Sequence, residues 1–275
     1  MNPLISIITV CFNSAKTIRQ TIESVLNQTY TNIEYILIDG KSTDNTVTII
    51  EEYATQFATK GIVYRWISEP DSGIYDAMNK GIKMASGEWI GIINSDDWYE
   101  LDACENIIKV VITESDAEII CGGVALIIEH KKKLYYKEIF SSTHKIKYEM
   151  TIRHPATFIR SSLYQQKLYN TSFKIAADWE LLKHFFITKK KFYFINTILA
   201  KFRSGGVSSR LNFLIINEKY KIRAQSLSYY ITLILYLKDY FLLIKNRVAL
   251  FFKKKGYLNR SINKHIHQNY NELIP

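Results

Sequence analysis

Several residue patterns on which common chemistries depend are missing from this chain. It has 11 glycines, and none fall in GxGxxG or GxxxxGK[ST], which removes the dinucleotide fingerprint and the P-loop. Neither a GxSxG nucleophile elbow nor an HExxH zinc helix occurs. The three cysteines, Cys11, Cys104 and Cys121, are odd in number and form no CxxC. A disulfide framework or a zinc site is therefore not expected. His130, His144, His184, His265 and His267 show no metal-ligand spacing either. The opening MNPLISIITV has no basic stretch ahead of its apolar run, so no signal peptide is evident and a cytoplasmic location is expected. No Pro/Gly/Ser-rich linker, internal repeat or low-complexity tract divides the chain. Toward the C-terminus the longest charge-free run, Ala224–Leu237, is 14 residues. That is short of the roughly 20 needed to span a bilayer.

What is present is an apolar chain with a charge divide. At 275 residues and 47% hydrophobic content it can hold one α/β domain with an appendage. Residues 1–120 carry 8 Lys and Arg against 18 Asp and Glu, a net of −10; residues 121–275 carry 28 against 8, a net of +20. Such a split suggests different partners for the two halves. Basic clusters stand at Lys131–Lys133, Lys189–Lys191 and Lys253–Lys255, without a zinc finger, an RRM motif or a basic zipper. Nucleic acid is therefore not the expected partner. An anionic membrane surface or a phosphate-bearing acceptor suits the charge.

Strand and helix signals alternate over the first 120 residues. Strands are expected at 4–10, 34–38, 61–67 and 88–93, and helices at 15–28, 44–57, 75–85 and 101–112. Alternation of this kind means βαβ units and a mainly parallel sheet. Beyond Gly123 the pattern is mixed: a hairpin at 124–128 and 134–139, a strand at 154–159, helices at 161–168 and 177–187, and a strand at 192–202. From Asn212 to about Lys255 the chain is helical and rich in Leu, Ile, Tyr and Phe. Lys238/Asp239, Lys245/Asn246 and Lys253 mark a narrow polar stripe on it. An interfacial membrane helix, a helical hairpin packed on the body and a dimer interface all fit that pattern. The expected division is 1–210, comprising 1–120 and 121–210, followed by a helical, basic region at 211–275.

Chemistry is concentrated at the carboxyl ends of the expected strands. In Glu88–Tyr99, EWIGIINSDDWY, an apolar run stops at Asn94-Ser95-Asp96-Asp97. Two adjacent acids at the sheet edge where ligands bind suit a hard divalent cation. They also suit an ordinary turn leading into the next helix. Polar turns follow the first and second strands too, at Cys11-Phe12-Asn13-Ser14 and at Asp39-Gly40-Lys41-Ser42-Thr43-Asp44.

Taken together, these pieces resemble the family 2 glycosyltransferases, inverting enzymes of the GT-A fold. The matching stretches are ITVCFN, ESVLNQTYTNIEYILIDGKSTDNT and EPDSGIYDAMNKGIKMASGEWIGIINSDDW, then RHPATF, KIAADWE and FRSGGVSS. The resemblance implies a Rossmann-like, mainly parallel sheet flanked by helices, a mixed α+β acceptor-side extension and amphipathic C-terminal helices. It also implies a nucleoside diphosphate sugar donor, with a UDP-sugar favoured, and Mg²⁺ or Mn²⁺. The acceptor would be a glycan or a polyprenyl-diphosphate-linked oligosaccharide. The basic second half and the C-terminal helical stretch suggest the latter, which would set the protein at the inner face of the cell membrane.

Site roles follow from the same resemblance. Phe12 and Asp39 would hold the base and ribose, with Asp71 of Glu69-Pro70-Asp71 also lining the pocket. A core Phe and a turn-forming Asp are the plainer readings of the first two. Asn94-Ser95-Asp96 falls on the family's Asp-any-Asp position with its first acid replaced. Asn94 can still bond the donor, Asp96 becomes the expected metal ligand, and Asp97 would assist. Met78-Asn79 departs from the family's frequent Arg-Asn, and Lys80 does not obviously replace the lost cation. Asp178 aligns with the general base, although an Asp ahead of an apolar helical run is also an ordinary N-cap; Glu180 is the weaker alternative. His154 and Arg203 are candidate acceptor or phosphate contacts, and Gly205-Gly206-Val207-Ser208 is either a flap over the donor or a surface turn. Two rival functions are a non-catalytic nucleotide-sugar or glycan-binding module and a sugar-1-phosphate nucleotidyltransferase.

Overall fold

A computed structural model describes residues 2–130, 133–205, 212–254 and 270–272. Its centre is a parallel sheet in the order β3-β2-β1-β4, built from β1 (Ile5–Cys11), β2 (Ile33–Asp39), β3 (Val63–Ser68) and β4 (Trp89–Asn94). Every residue of β1 and β2 is buried, as an apolar run in a sheet covered on both faces requires. Register aligns the strand ends: Cys11 lies opposite Asp39, Val10 opposite Asn94, and Asp39 opposite Ser68. The polar turns of three strands therefore open at one edge.

Side-chain alternation assigns the two faces. Ile5, Ile7, Tyr35 and Leu37 point into a core shared with α1 (Ile18–Leu26), α2 (Thr46–Glu52), α3 (Ala54–Thr59) and α5 (Ala103–Thr113). Ile8, Val10, Ile36 and Ile38 point into a second core under α4 (Ile74–Met84), α6 (Ser161–Gln166) and α7 (Ala177–Ile187). The single helix expected over 44–57 is divided at Tyr53, whose buried phenol is drawn onto α1 by hydrogen bonds with Glu23 at 2.7 Å and Arg19 at 3.2 Å.

Beyond β4 the sheet becomes mixed. β8 (Thr157–Arg160) joins β4 antiparallel, followed by β6 (Ile119–His130), β7 (Lys133–Phe140) and β10 (Asn271–Glu272). β9 (Phe192–Arg203) runs parallel to β6 and carries β5 (Trp98–Tyr99) antiparallel on its other edge. The strand expected from 154 begins three residues later, because His154–Ala156 forms a 3₁₀ turn around Pro155, which lacks an N–H for the ladder. Residues 131 and 132 of the expected charged turn lie outside the described residues.

The C-terminal helical stretch is two helices, α8 (Phe213–Ala224) and α9 (Tyr229–Lys254), packed as a hairpin on the body. Ile222 of α8 is buried in the core beneath α7. The polar stripe expected on α9 is split, with Lys238 and Lys245 exposed and Asp239 buried. Asp239 turns inward to a buried ion pair with Arg223 at 2.6 Å, and Arg223 also donates to the Tyr148 carbonyl at 2.8 Å. An unpaired buried acid would be costly, so the ion pair sets which side of α9 faces the body. Among the described residues no helix is long and apolar enough to cross a membrane. The cluster Lys253–Lys255 lies outside the described side chains, and Gly206–Ser208 lie outside the described residues.

Candidate active site

The turns after β1 and β2 are laced into one another. Asn13 and Lys41 both take positive φ, 50° and 64°, which turns the chain sharply back at each strand end. The Asn13 N–H donates to Ser42 Oγ at 2.7 Å, and Asn13 Oδ1 accepts from the Thr43 N–H at 2.9 Å. Ser14 N–H donates to Thr46 Oγ1 at 2.7 Å, and Ala15 N–H to Asp44 at 3.1 Å. Asp44 therefore holds the first turn rather than reaching outward. Asp39 is fully buried, and its carboxylate accepts from Ser42 N–H and Oγ and from Ser68 Oγ at 2.9, 2.5 and 2.6 Å. It fastens β2 to β3 at the floor of the edge.

Above that floor the ring of Phe12 is 61% exposed, unusual for a phenylalanine closing a buried strand. Gly40 separates it from Asp71. A Cβ at Gly40 would stand 2.5 Å from Asp71 Oδ2 and 3.4 Å from Phe12 Cδ2. Phe12, Gly40 and Asp71 thus form the walls and base of one slot. Lys80 pairs with Glu69 at 2.8 Å and donates to the Pro70 carbonyl at 2.8 Å, bracing the loop that carries Asp71. Met78 is buried in the core under α4 and does not reach the strand-end turns as a cation would have to.

The turn 94–97 closes the other side. Ser95 Oγ and Ser14 Oγ share a hydrogen bond at 2.7 Å, joining it to the first turn. Asp97 is fully buried: its Oδ1 accepts from the Arg203 N–H at 2.9 Å, while its Oδ2 has no hydrogen-bond partner among the described residues. Burial, then the neighbouring Asp96 charge, push its carboxyl well above the usual carboxylate range. Asp96 is part-buried, and desolvation raises its pKa as well, with Arg203 opposing. Arg203 forms no ion pair with either acid: its guanidinium donates to the Asp96 carbonyl at 3.3 Å and to Gln20 at 2.9 Å, and lies over Trp98. It clamps the turn to β9.

The turn therefore holds one part-open carboxylate and two buried oxygens without a hydrogen-bond partner among the described residues, Asn94 Oδ1 and Asp97 Oδ2. Unpaired oxygen donors beside the Asp96 carboxylate fit a hard divalent cation. Among the described residues no group of three or more His, Cys, Asp and Glu could hold a metal alone. An ion here would need oxygens from a substrate to complete its shell.

Asp178 lies in the first turn of α7 and is not its N-cap, which is Ala176. Its Oδ1 accepts from the Trp179 N–H at 2.9 Å and from the Tyr75 hydroxyl at 3.0 Å. Burial, with the Asp178 charge next, pushes the Tyr75 phenol well above its ordinary pKa, so it remains a donor. No protein group bonds Asp178 Oδ2 among the described residues, and it is not sealed from solvent. The single Tyr75 hydroxyl proton is shared with the Ile175 carbonyl, which lies at the shorter distance of 2.7 Å, and Lys174 donates to the Ser72 carbonyl at 3.0 Å. These contacts tie α7 to the loop of Asp71.

Glu180 is buried against Lys167 at 3.1 Å, on a different side of α7. His154 shares a hydrogen bond with the Tyr169 hydroxyl at 2.8 Å, and the Tyr169 ring packs 5.5 Å from that of Tyr75. Burial lowers the His154 pKa against the pull of Asp178, leaving a neutral ring behind the acid rather than an open phosphate contact.

Sequence reasoning missed three members of this arrangement. Tyr75 lies inside a recognised stretch but gives no local sign of bonding Asp178, 103 residues away. Ser14 reaches Ser95 only through the β1–β4 register. Glu218 of α8 accepts from the Lys174, Ile175 and Ala176 N–H groups at 2.6, 3.0 and 3.0 Å. Those donors open α7, and a carboxylate there satisfies them as a capping side chain would.

The sequence pattern of Glycosyl transferase family 2 matches residues 6–186, well over half of the chain. The chain belongs to that family. A PGL/p-HBAD biosynthesis glycosyltransferase of Mycobacterium bovis is 29% identical over 180 residues, covering 65% of this chain and 68% of its own. A glycosyltransferase of Rickettsia typhi is 27% identical over 275 aligned residues, covering 94% and 82%. Among solved structures, S. aureus TarS 1-349 in complex with UDP-GlcNAc superposes with a TM-score of 0.63 at 16% identity, over 79% of this chain and 64% of that one. The mannosyltransferase PcManGT from Pyrobaculum calidifontis, in complex with GDP-Man and Mn2+, gives 0.57 at 14%, over 82% and 62%. The chain spans 41% of a longer TarS structure. At these identities the superpositions establish the GT-A fold. Asp178 lies within the matched residues, whereas Arg203 and Glu218 lie beyond them.

Proposed function

We propose that this glycosyltransferase moves a sugar from a nucleoside diphosphate donor, a UDP-sugar in preference, to a hydroxyl of a glycan acceptor with inversion. The observation that carries the reading is the Asp178 carboxylate. One oxygen is fixed by the Trp179 N–H and by the Tyr75 hydroxyl, whose proton is shared with the Ile175 carbonyl, and the other has no protein partner among the described residues. A base held in this way accepts the acceptor hydroxyl's proton on Oδ2. The acceptor oxygen then bonds to the anomeric carbon from the face opposite the diphosphate. The bond from that carbon to the diphosphate breaks, and its electron pair leaves with the nucleotide. One base suffices for such a displacement, which agrees with the lack of a nucleophile elbow.

Phe12 would stack on the base above Gly40, with Asp71 accepting from the base or ribose, and Asn94 would bond the ribose or sugar. Buried Asp39 supports this slot through Ser42 and Ser68. Mg²⁺ or Mn²⁺ would be held by Asp96 with the orphaned oxygens of Asn94 and Asp97, and when bound it neutralises charge on the departing diphosphate. The neighbours carrying UDP-GlcNAc, or GDP-Man with Mn2+, support a nucleotide-sugar donor and a divalent metal. His154 acts from behind Asp178, and Arg203 by holding the turn 94–97. The basic half suits an acceptor on a polyprenyl diphosphate, at the cytoplasmic face of the cell membrane.

Release of nucleoside diphosphate from a panel of nucleotide sugars tests this. Asp178→Asn should abolish release while leaving donor binding in place, and Asp96→Ala should weaken both. Donor binding without any acceptor-dependent release in the unmodified chain would instead mark a binding module.

A further inference from the structure

The outer face of α9 is apolar along nearly its whole described length. Tyr230, Ile234, Leu237, Phe241, Ile244 and Val248 recur at spacings of four and three, which places them on one line. They are between 45 and 76% exposed. From the first to the last this line runs about 27 Å at the helical rise per residue. The opposite face carries Thr232, Asp239 and Leu243, all buried against the body. The helix is thus inverted: its one acid faces inward, while a line of aromatic and aliphatic residues faces out.

Charge selects what covers this face. Residues 212–254 contain two acids, Glu218 and Asp239, and both are buried, one on the N–H groups before α7 and the other on Arg223. Lys238 and Lys245, seven residues apart, lie exposed along one flank of the apolar line. On the other flank Arg247 is exposed, with its guanidinium 4.9 Å from the Phe213 ring centroid. Phe213 and Leu214 of α8 extend the apolar surface beside it. Pairing with a second copy would set cations against cations, with no exposed acid on these helices to answer them. Anionic headgroups answer the cations, and the acyl region beneath accepts the apolar line.

We propose that α9 lies flat on an anionic lipid surface, with Phe241 and its line inserted and Lys238 and Lys245 at headgroup level. This deepens the reading of a membrane-borne acceptor by naming the docking face, and it does not depend on the chemistry at Asp178. Through the Arg223–Asp239 ion pair and Glu218, the docked helix is joined to the helix that bears the proposed base.

Flotation of the full chain with lipid vesicles, without donor or acceptor, tests it. Vesicles of phosphatidylcholine and phosphatidylglycerol in equal parts should bind the protein at least about tenfold more tightly than phosphatidylcholine alone, and salt should weaken the binding. Ile234→Ser with Phe241→Ser, and separately Lys238→Glu with Lys245→Glu, should each weaken it by about tenfold or more. Both pairs are exposed, so thermal melting and donor binding should not change. No binding to either vesicle overturns the proposal, as does equal binding to both. A dimer by light scattering that Phe241→Ser dissociates would also overturn it and assign the face to a second copy. Because no turnover is measured, failure here leaves the catalytic reading standing, and loss of the catalytic reading leaves this one.

Discussion

Glu218 offers the most informative perturbation, because it lies 40 residues after Asp178 and its side-chain hydrogen bonds among the described residues go to backbone N–H groups. Its two oxygens accept three N–H groups at 2.6 to 3.0 Å, the last from Ala176, the N-cap of α7. An unsatisfied buried donor costs about 1 to 3 kcal/mol, so Glu218→Ala should lose roughly 3 to 5 kcal/mol once partial hydration of the more open donors is allowed for. Glu218→Gln keeps the shape and one acceptor oxygen, turns an NH₂ toward a donor, and should cost about 1 to 3 kcal/mol. The larger consequence is positional. Freed N–H groups at 174–176 let the start of α7 shift, and a displacement of about 1 Å at a reacting group can cost about 100-fold. We expect kcat per folded molecule in Glu218→Gln to fall by about ten- to 100-fold, with KM for the donor within about twofold. The assay is nucleoside diphosphate release alongside thermal melting and donor titration calorimetry. A lowered melting temperature with unchanged kcat per folded molecule would refute the positioning argument and leave Glu218 a purely structural residue.

Three further outcomes follow from the same geometry. Tyr75→Phe removes the hydroxyl on Asp178 Oδ1 and should lower kcat by about tenfold while KM stays within about twofold, as steady-state kinetics will report. Gly40→Ala places a Cβ 2.5 Å from Asp71 Oδ2 and should weaken donor binding by about tenfold or more in calorimetry, with a smaller effect on melting. The carboxyls of Asp97 and Asp96 are raised in the folded state, so the fold binds more protons than the unfolded chain above the ordinary carboxylate pKa. Stability of the metal-free protein should therefore fall as pH rises through that range toward the folded pKa values, and Asp97→Asn should remove much of the slope in melting scans. An unchanged slope would mean that Asp97 is not the buried charge responsible.

Much of the nucleotide-side half was legible because its signals are local. Apolar runs ending in polar turns fix β1, β2 and β4 to within a residue or two, and α7 runs over 177–187 as its spacing predicts. Phe12 and Asp71 could be picked out as candidates because the turns that carry them fall in stretches that resemble the family's. That Gly40 brings them into one slot is visible only in three dimensions. Other features have no local trace. β5 and β10 are two residues long and exist only through partners far along the chain. Asp239 in an apolar helix reads as a solvent-facing acid until Arg223 is found beside it, and this reversal turns α9 around. Arg203 resembles a phosphate ligand in sequence, yet its backbone and guanidinium are engaged with Asp97, Asp96 and Gln20.

The central claim is that Asp178 takes the acceptor proton. It is tested most directly by acceptor-dependent nucleoside diphosphate release in Asp178→Asn, with donor affinity measured on the same preparation. We predict release lowered by at least about 1,000-fold with donor affinity within about threefold, since the amide keeps an acceptor oxygen for Tyr75 but cannot take the proton. Turnover near that of the unmodified enzyme would contradict it.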